Sequence, residues 1–242
     1  MLIYQITHQC NSCESRNLVK NGFSVSKKQK YICKNCGFNG VVNPERRYTE
    51  AEKEMIMNAY QERPSMRGIC RIFGVSFPTL SKWLKSAFEA NKKIEDTLLK
   101  ATKDDVLELD EVWSFVKRRK NKKWLWVALC RRTKQVVAYV LGDRSESSCK
   151  ELWNKIPDSY KNLHTYSDFW NAYEKVFPKE THRSVGKESG LTNHIERWNN
   201  TLRQWVGRYT RKTLSFSKSD YSHELVTHLF IRKYNLSKSI RC

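Results

Sequence analysis

The sequence predicts a multidomain chain in which two small modules precede a mixed α/β domain. Three observations carry that expectation: two CxxC pairs near the start, a set of short amphipathic helices with a tight turn before a basic last member, and strand-like apolar runs after residue 105 that hold isolated acids.

The charge balance narrows the partners. The 242 residues carry 45 Lys and Arg against 25 Asp and Glu, and the excess is spread over both halves: 18 against 10 in residues 1–104 and 27 against 15 in residues 105–242. A folded body with positive charge throughout favours a polyanion, and nucleic acid gains affinity from each phosphate contact through counterion release. An anionic membrane surface is the competitor, but no lipidation motif or strongly basic amphipathic helix stands out. The first ten residues, MLIYQITHQC, lack the basic and apolar regions of a signal peptide, and the longest apolar run, residues 124–130, is too short to span a bilayer. The expected location is therefore cytoplasmic, where cysteines serve as metal ligands or buried thiols before disulfides.

Cys10, Cys13, Cys33 and Cys36 form two CxxC knuckles separated by 19 residues, the spacing of a four-thiolate zinc ribbon. The segment between them, with Val19, Phe23, Val25, Tyr31 and Ile32, is expected to form the hairpin that brings the knuckles together. Such a short module has little core of its own, so Zn2+ would supply much of its folding energy. His8 is not needed as a ligand, because four sulfurs complete the site. The ribbon is assigned to residues 1–43.

Residues 44–48, PERRY, are a connector. Thr49 and Glu52 then form a capping box that opens a helix ending before Pro64, and a second helix covers residues 66–73. Gly74 to Ser76 make a turn, and Ser76 caps a third helix with Pro78 in its first turn. Leu80, Trp83, Leu84 and Ala87 form the packing stripe of that helix, leaving Thr79, Lys82 and Lys85 on the other side. This is the pattern of a helix-turn-helix over residues 44–89, with Ser76, Thr79, Lys82 and Lys85 as DNA-binding candidates. A solvated lysine face on a generic three-helix bundle is the bland alternative. Residues 90–104 read as a linker.

Residues 106–116, 124–131 and 135–141 are three strand-like runs, the first two joined by the basic turn 117–123. A helix over 145–156 follows, then a strand ending near Ser167, a helix over 169–177, a strand around 181–185, a helix from residue 192 and a last helix near 222–234. The order βββαβαβα is that of a ribonuclease-H-like domain, here over residues 105–242. In TNHIERWNNTLR, residues 192–203, Ile195, Trp198 and Leu202 recur on one helical face while Glu196, Asn199, Asn200 and Arg203 share another. Seven residues make two turns with only about 20° of drift, so Arg203 stands over Glu196.

Three acids fall at informative places: Asp110 inside the first strand, Asp168 at the end of the fourth, and Glu196 on the later helix. Brought together, they could hold two Mg2+ or Mn2+ ions, as in-line displacement at phosphorus requires. Each acid has an ordinary reading as well. Glu108 lies on the same strand face as Asp110 and is its rival, Asp168 could simply cap the next helix, and Glu196 could form a capping box with Asn193.

The motifs LELDEVWSF, TYSDFWNAY and TNHIERWNNTLRQW, behind a CxxC ribbon and a helix-turn-helix, resemble the fused transposase of the insertion-sequence-one family across nearly the whole chain. The resemblance implies a DDE enzyme of a prokaryotic, nucleoid-associated kind, with Asp110, Asp168 and Glu196 as metal ligands and Arg203 as the basic residue two turns after the Glu. It also implies that the two N-terminal modules recognise terminal inverted repeats. His194 is a further candidate for contact with metal or phosphate. Arg208, Arg211 and Lys212 are expected to hold DNA, together with Trp198 and Trp205 unless those two belong to the core. Joining two element ends favours a homodimer or larger assembly. Two competing readings are a zinc-ribbon and helix-turn-helix regulator with an inactive C-terminal domain, and a ribonuclease-H-like nuclease without strand transfer.

Overall fold

A computed structural model describes residues 8–25, 27–42, 48–62 and 65–239. The chain divides into two compact units, residues 1–54 and 55–242. Connector residues 44–47 and Pro64 lie outside the described residues.

The first unit carries a three-stranded antiparallel sheet of β1 (Leu18–Phe23), β2 (Gln29–Cys33) and β3 (Asn39–Gly40), in the order β1-β2-β3. The expected hairpin is present, but its apolar residues do not make a core: Val19, Phe23 and Val25 are exposed. A segment this short cannot bury its side chains between layers, and the buried positions are instead Cys10, Cys33 and Val42.

Helix α1 (Glu50–Tyr60) begins as the sequence predicts. The Glu52 carboxylate accepts the Thr49 N–H at 2.6 Å, and the Thr49 hydroxyl accepts the Glu52 N–H at 3.2 Å. Helix α2 (Met66–Phe73) ends at Gly74, whose φ of 65° is a left-handed conformation that favours glycine. Helix α3 (Phe77–Ala90) starts at Ser76, whose hydroxyl accepts the Thr79 N–H at 3.3 Å. Leu80 and Leu84 are its buried residues, while Trp83 and Ala87 are only half-buried.

The segment expected to be a linker is docked. Thr97 is buried, the Asn235 carboxamide donates to its hydroxyl, and the Gln135 carboxamide donates to its carbonyl at 2.7 Å; Leu98 and Ala101 pack against the core. These polar groups can enter the interior because they satisfy one another.

The larger sheet has five strands in the order β6-β5-β4-β7-β8: β4 (Val106–Phe115), β5 (Lys122–Cys130), β6 (Val136–Gly142), β7 (His164–Ser167) and β8 (His182–Ser184). The first three are antiparallel neighbours, whereas β7 runs parallel to β4 and β8 parallel to β7. This mixed sheet, with the element order the sequence predicts, is consistent with a ribonuclease-H-like domain.

Alternation along β4 divides the core between two layers. Leu107 and Leu109 pack on the side of α4 (Glu146–Lys155), the one-turn helix α5 (Asp158–Lys161) and α6 (Asn171–Val176). Val112 packs on the other side, with Ile195, Trp198 and Leu202 of α7 (Asn193–Trp205) and Phe230 and Ile231 of α8 (Asp220–Ser239).

Candidate active site and cysteine cluster

In the first unit, the Cys10 and Cys36 sulfurs are 3.5 Å apart, those of Cys13 and Cys33 are 3.6 Å apart, and all four lie within 4.8 Å of one another. A tetrahedral Zn2+ with bonds of about 2.3 Å needs sulfurs spaced by about 3.8 Å, so the four thiols fit that ion. Backbone N–H groups of Cys36 and Asn35 pull the Cys33 thiol down to about 6, whereas at Cys13, against a Ser15 backbone bond that lowers it, the neighbouring thiols push the value up to about 12. The crowded sulfurs therefore do not ionise alike without a cation between them.

In the larger unit, the parallel register pairs Val106 with His164 and Glu108 with Tyr166. Continued two residues further, it sets Asp110 beside Asp168, just past the end of β7. Three carboxylates meet there: ligand oxygens of Asp110, Glu111 and Asp168 lie within 4.8 Å of one another. Burial, and then the Glu111 and Asp168 charges, push the Asp110 carboxyl up to about 7. The Asn199 carboxamide donates to Asp110 at 2.5 Å, while its own oxygen is buried with no partner among the described residues. Converging acids beside an unsatisfied oxygen suit a hard divalent cation with oxygen ligands.

Glu111 is the member that strand alternation did not anticipate. Arg144 and the Tyr173 hydroxyl, the latter at 2.9 Å, hold its two oxygens, and the Arg144 guanidinium lies over the Trp124 and Trp170 rings at 4.6 and 4.0 Å. Asp168 also accepts the Trp170 N–H at 3.0 Å, so it does cap the next turn as well as face Asp110.

Glu196 is exposed on α7, one turn before Asn199, and is not among the three grouped carboxylates. It makes no capping box with Asn193. The start of α7 is capped from another element: the fully buried Glu108 carboxylate accepts the His194 N–H at 2.9 Å and the Ile195 N–H at 3.0 Å, bonds His194 Nδ1 at 2.8 Å, and pairs with Arg131 at 2.8 Å. Glu108 and His194 are thus engaged with each other in fixing the helix. Arg203 is half-buried and donates to the Asn200 side-chain oxygen at 3.4 Å. Burial and the Arg211 charge lower its pKa while Asp110 opposes them.

Of the remaining candidates, Trp198 is core and Trp205 is 40% exposed. Arg208 donates to the Ser217 hydroxyl at 2.8 Å, and Arg211 and Lys212 are exposed. On α3, Ser76 and Thr79 bond each other through their hydroxyls at 2.8 Å, which leaves Lys82 and Lys85 as the exposed cations, with Lys85 5.9 Å from the centre of the Tyr221 ring. No helix among the described residues is long and apolar enough to cross a membrane.

A mixed five-stranded sheet with Asp110 inside β4 beside Asp168 just past the end of β7 is consistent with the ribonuclease-H-like class of α/β domains. The family model described as IS1 transposase matches residues 106–237. Among similar proteins, the insertion element iso-IS1n protein InsB of Shigella dysenteriae is 40% identical over 129 residues, 53% of this chain and 95% of the relative. The insertion element IS1 4 protein InsB of Escherichia coli K12 is 32% identical over 165 residues, 65% of this chain and 96% of the relative. The chain belongs to the IS1 transposase family of DDE transposases, and membership implies polynucleotidyl transferase activity.

Proposed function

We propose that the chain binds the terminal inverted repeats of an insertion sequence, cleaves at the 3′ end of the element and transfers the freed 3′-hydroxyl into target DNA. The observation that carries this reading is the register that sets Asp110 beside Asp168 beneath α7. Asp110 and Asp168 would hold Mg2+ or Mn2+, with Glu196 as the third ligand that the family implies. Bound divalent ions would activate the attacking oxygen and stabilise the leaving one. Asn199 orients the Asp110 carboxylate, Glu108 holds the start of the helix that brings Asn199 and Arg203 over the sheet, and Arg203 offers a cation to a phosphate next to the acids.

A Zn2+-bound ribbon over residues 1–43 and a helix-turn-helix over residues 44–89 would recognise the repeats, the latter through Ser76, Thr79, Lys82 and Lys85. Residues 90–104 connect them to the catalytic domain over residues 105–242. Arg208, Arg211 and Lys212 would add backbone contacts, and a homodimer or larger assembly would join the two ends. The S–S spacing supports the ribbon, and the glycine turn with its Ser76 cap supports the helix-turn-helix.

The test is strand transfer of a 3′-hydroxyl terminal-repeat oligonucleotide into plasmid with Mg2+ or Mn2+. Wild type should give joined products, and Asp110→Ala, Asp168→Ala and Glu196→Ala should give none. Repeat-specific binding with neither cleavage nor joining would move the assignment to a DNA-binding regulator.

A further inference from the structure

The turn between β4 and β5, with the first two residues of β5, holds six cations in seven residues: Lys117, Arg118, Arg119, Lys120, Lys122 and Lys123. Lys123 pairs with Asp220 at 3.0 Å; among the described residues, the other five have no carboxylate within ion-pair distance. All five are exposed. Like charges crowded on one tight turn repel one another, and nothing within the described fold relieves that repulsion.

The turn is nevertheless well built. Val116 N–H donates to the Asn121 carbonyl at 3.1 Å and Asn121 N–H to the Arg118 carbonyl at 2.9 Å, while Lys117 takes a left-handed φ of 63°. From the side, Lys117 N–H donates to the Ser217 carbonyl at 2.8 Å, tying the turn to the segment that carries Arg211, Lys212 and Lys218. That segment leads back to α7, because the Thr210 hydroxyl donates to the Arg203 carbonyl at 3.4 Å and Arg208 donates to the Ser217 hydroxyl at 2.8 Å. Arg203, Arg208, Arg211 and Lys212 therefore lie along the chain that joins α7 to the turn. Along and just past β4, the six residue steps from Asp110 to Val116 span about 20 Å, the rise of about six base pairs.

We infer that the 117–123 turn, with the neighbouring 211–218 segment, is a phosphate-backbone site for duplex DNA lying about six base pairs from the reacting phosphate. This inference rests on the transposase reading and deepens it. The site reads charge and spacing rather than sequence, since Arg and Lys on an exposed turn meet phosphates without reaching base edges in a fixed geometry. Two sources share this chemistry, the element's own end and the target duplex.

The experiment uses full-length protein and the triple variant Arg118→Gln, Arg119→Gln, Lys120→Gln, which leaves the left-handed Lys117 untouched. Fluorescence anisotropy without Mg2+ measures binding to two 40-bp duplexes, one from the DNA flanking the chain's coding sequence and one unrelated, over a salt series. Because no catalysis is read, an inactive carboxylate site would leave this result unchanged. We expect at least tenfold weaker binding and a salt slope smaller by about 2 to 3, since each phosphate contact contributes about 0.9. Loss on the flanking duplex alone assigns the site to the element end, and equal loss on both shows a phosphate contact made on any duplex, target DNA included. The charge-preserving variant Arg118→Lys, Arg119→Lys should bind as wild type. Unchanged affinity and slope in the triple variant, or equal loss in the charge-preserving one, would overturn the inference.

Discussion

Glu108 offers the sharpest test of how the site is held, because it competes with Asp110 as the first-strand acid and yet serves a different purpose. Replacing it with Ala removes the acceptor for two N–H groups at the start of α7, for His194 Nδ1 and for Arg131. Exposed ion pairs are worth little, but Glu108 is fully buried and Arg131 is three-quarters buried, so the loss leaves two amides without partners and a cation held only by the Leu191 carbonyl and the Tyr166 ring. Breaking such a pair from one side costs about 3–5 kcal/mol. In a unit of this size each kcal/mol shifts the midpoint by about 2–4 °C, which puts the expected fall in Tm at about 10 °C. All eight tryptophans lie beyond residue 54, so thermal unfolding followed by intrinsic fluorescence reports this unit alone. Mn2+ affinity, measured by calorimetry well below the midpoint, should stay within a few-fold of wild type in Glu108→Gln and collapse in Asp110→Asn. A Glu108→Gln protein of unchanged stability that no longer binds Mn2+ would refute the reasoning, because Glu108 would then be a ligand rather than the cap of α7.

Removal of metal from the cysteine cluster should unfold residues 8–42, since exposed Val19, Phe23 and Val25 leave that sheet little else to hold it; one equivalent of zinc by elemental analysis, and its loss with the local fold in Cys13→Ser, would check this. Glu196→Gln should abolish strand transfer with little change in stability, the residue being exposed, whereas Glu111→Gln should lower both, because Arg144 and Tyr173 depend on it; joined product and urea midpoints measured on the same preparations separate the two. His223 is buried between the Ser114 and Ser217 hydroxyls, and burial lowers its pKa to about 4. With an unfolded value near 6.5, the unfolded chain binds the extra proton between these limits, so stability should fall as pH drops from about 6.5 to about 4. The loss approaches 3 kcal/mol at about 1.36 kcal/mol per pH unit, and His223→Asn should flatten that part of the pH–stability curve.

Features that local chemistry governs could be read from the residues alone. Cysteine spacing identified the four-thiol group, Thr49 with Glu52 and Ser76 with Gly74 marked helix ends, and period-two and period-3.6 patterns located β4 and α7, because each depends on residues a few positions apart. The faces were legible too: Ile195, Trp198 and Leu202 are buried together, as their spacing requires. What those faces meet was not. Alternation put Glu108 and Asp110 on one side of β4, but only the packing of α7 shows one capping a helix while the other faces Asp168. Glu111 points the other way along its strand and still joins the acids, because β7 stops at Ser167 and leaves Asp168 free to approach them both. Arg144 carries no motif and Asn199 is only one polar residue on the Glu196 face, and both matter through partners 33 and 89 residues away. Such contacts depend on strand register and helix docking, which a one-dimensional pattern constrains only through the turns and core that fold it.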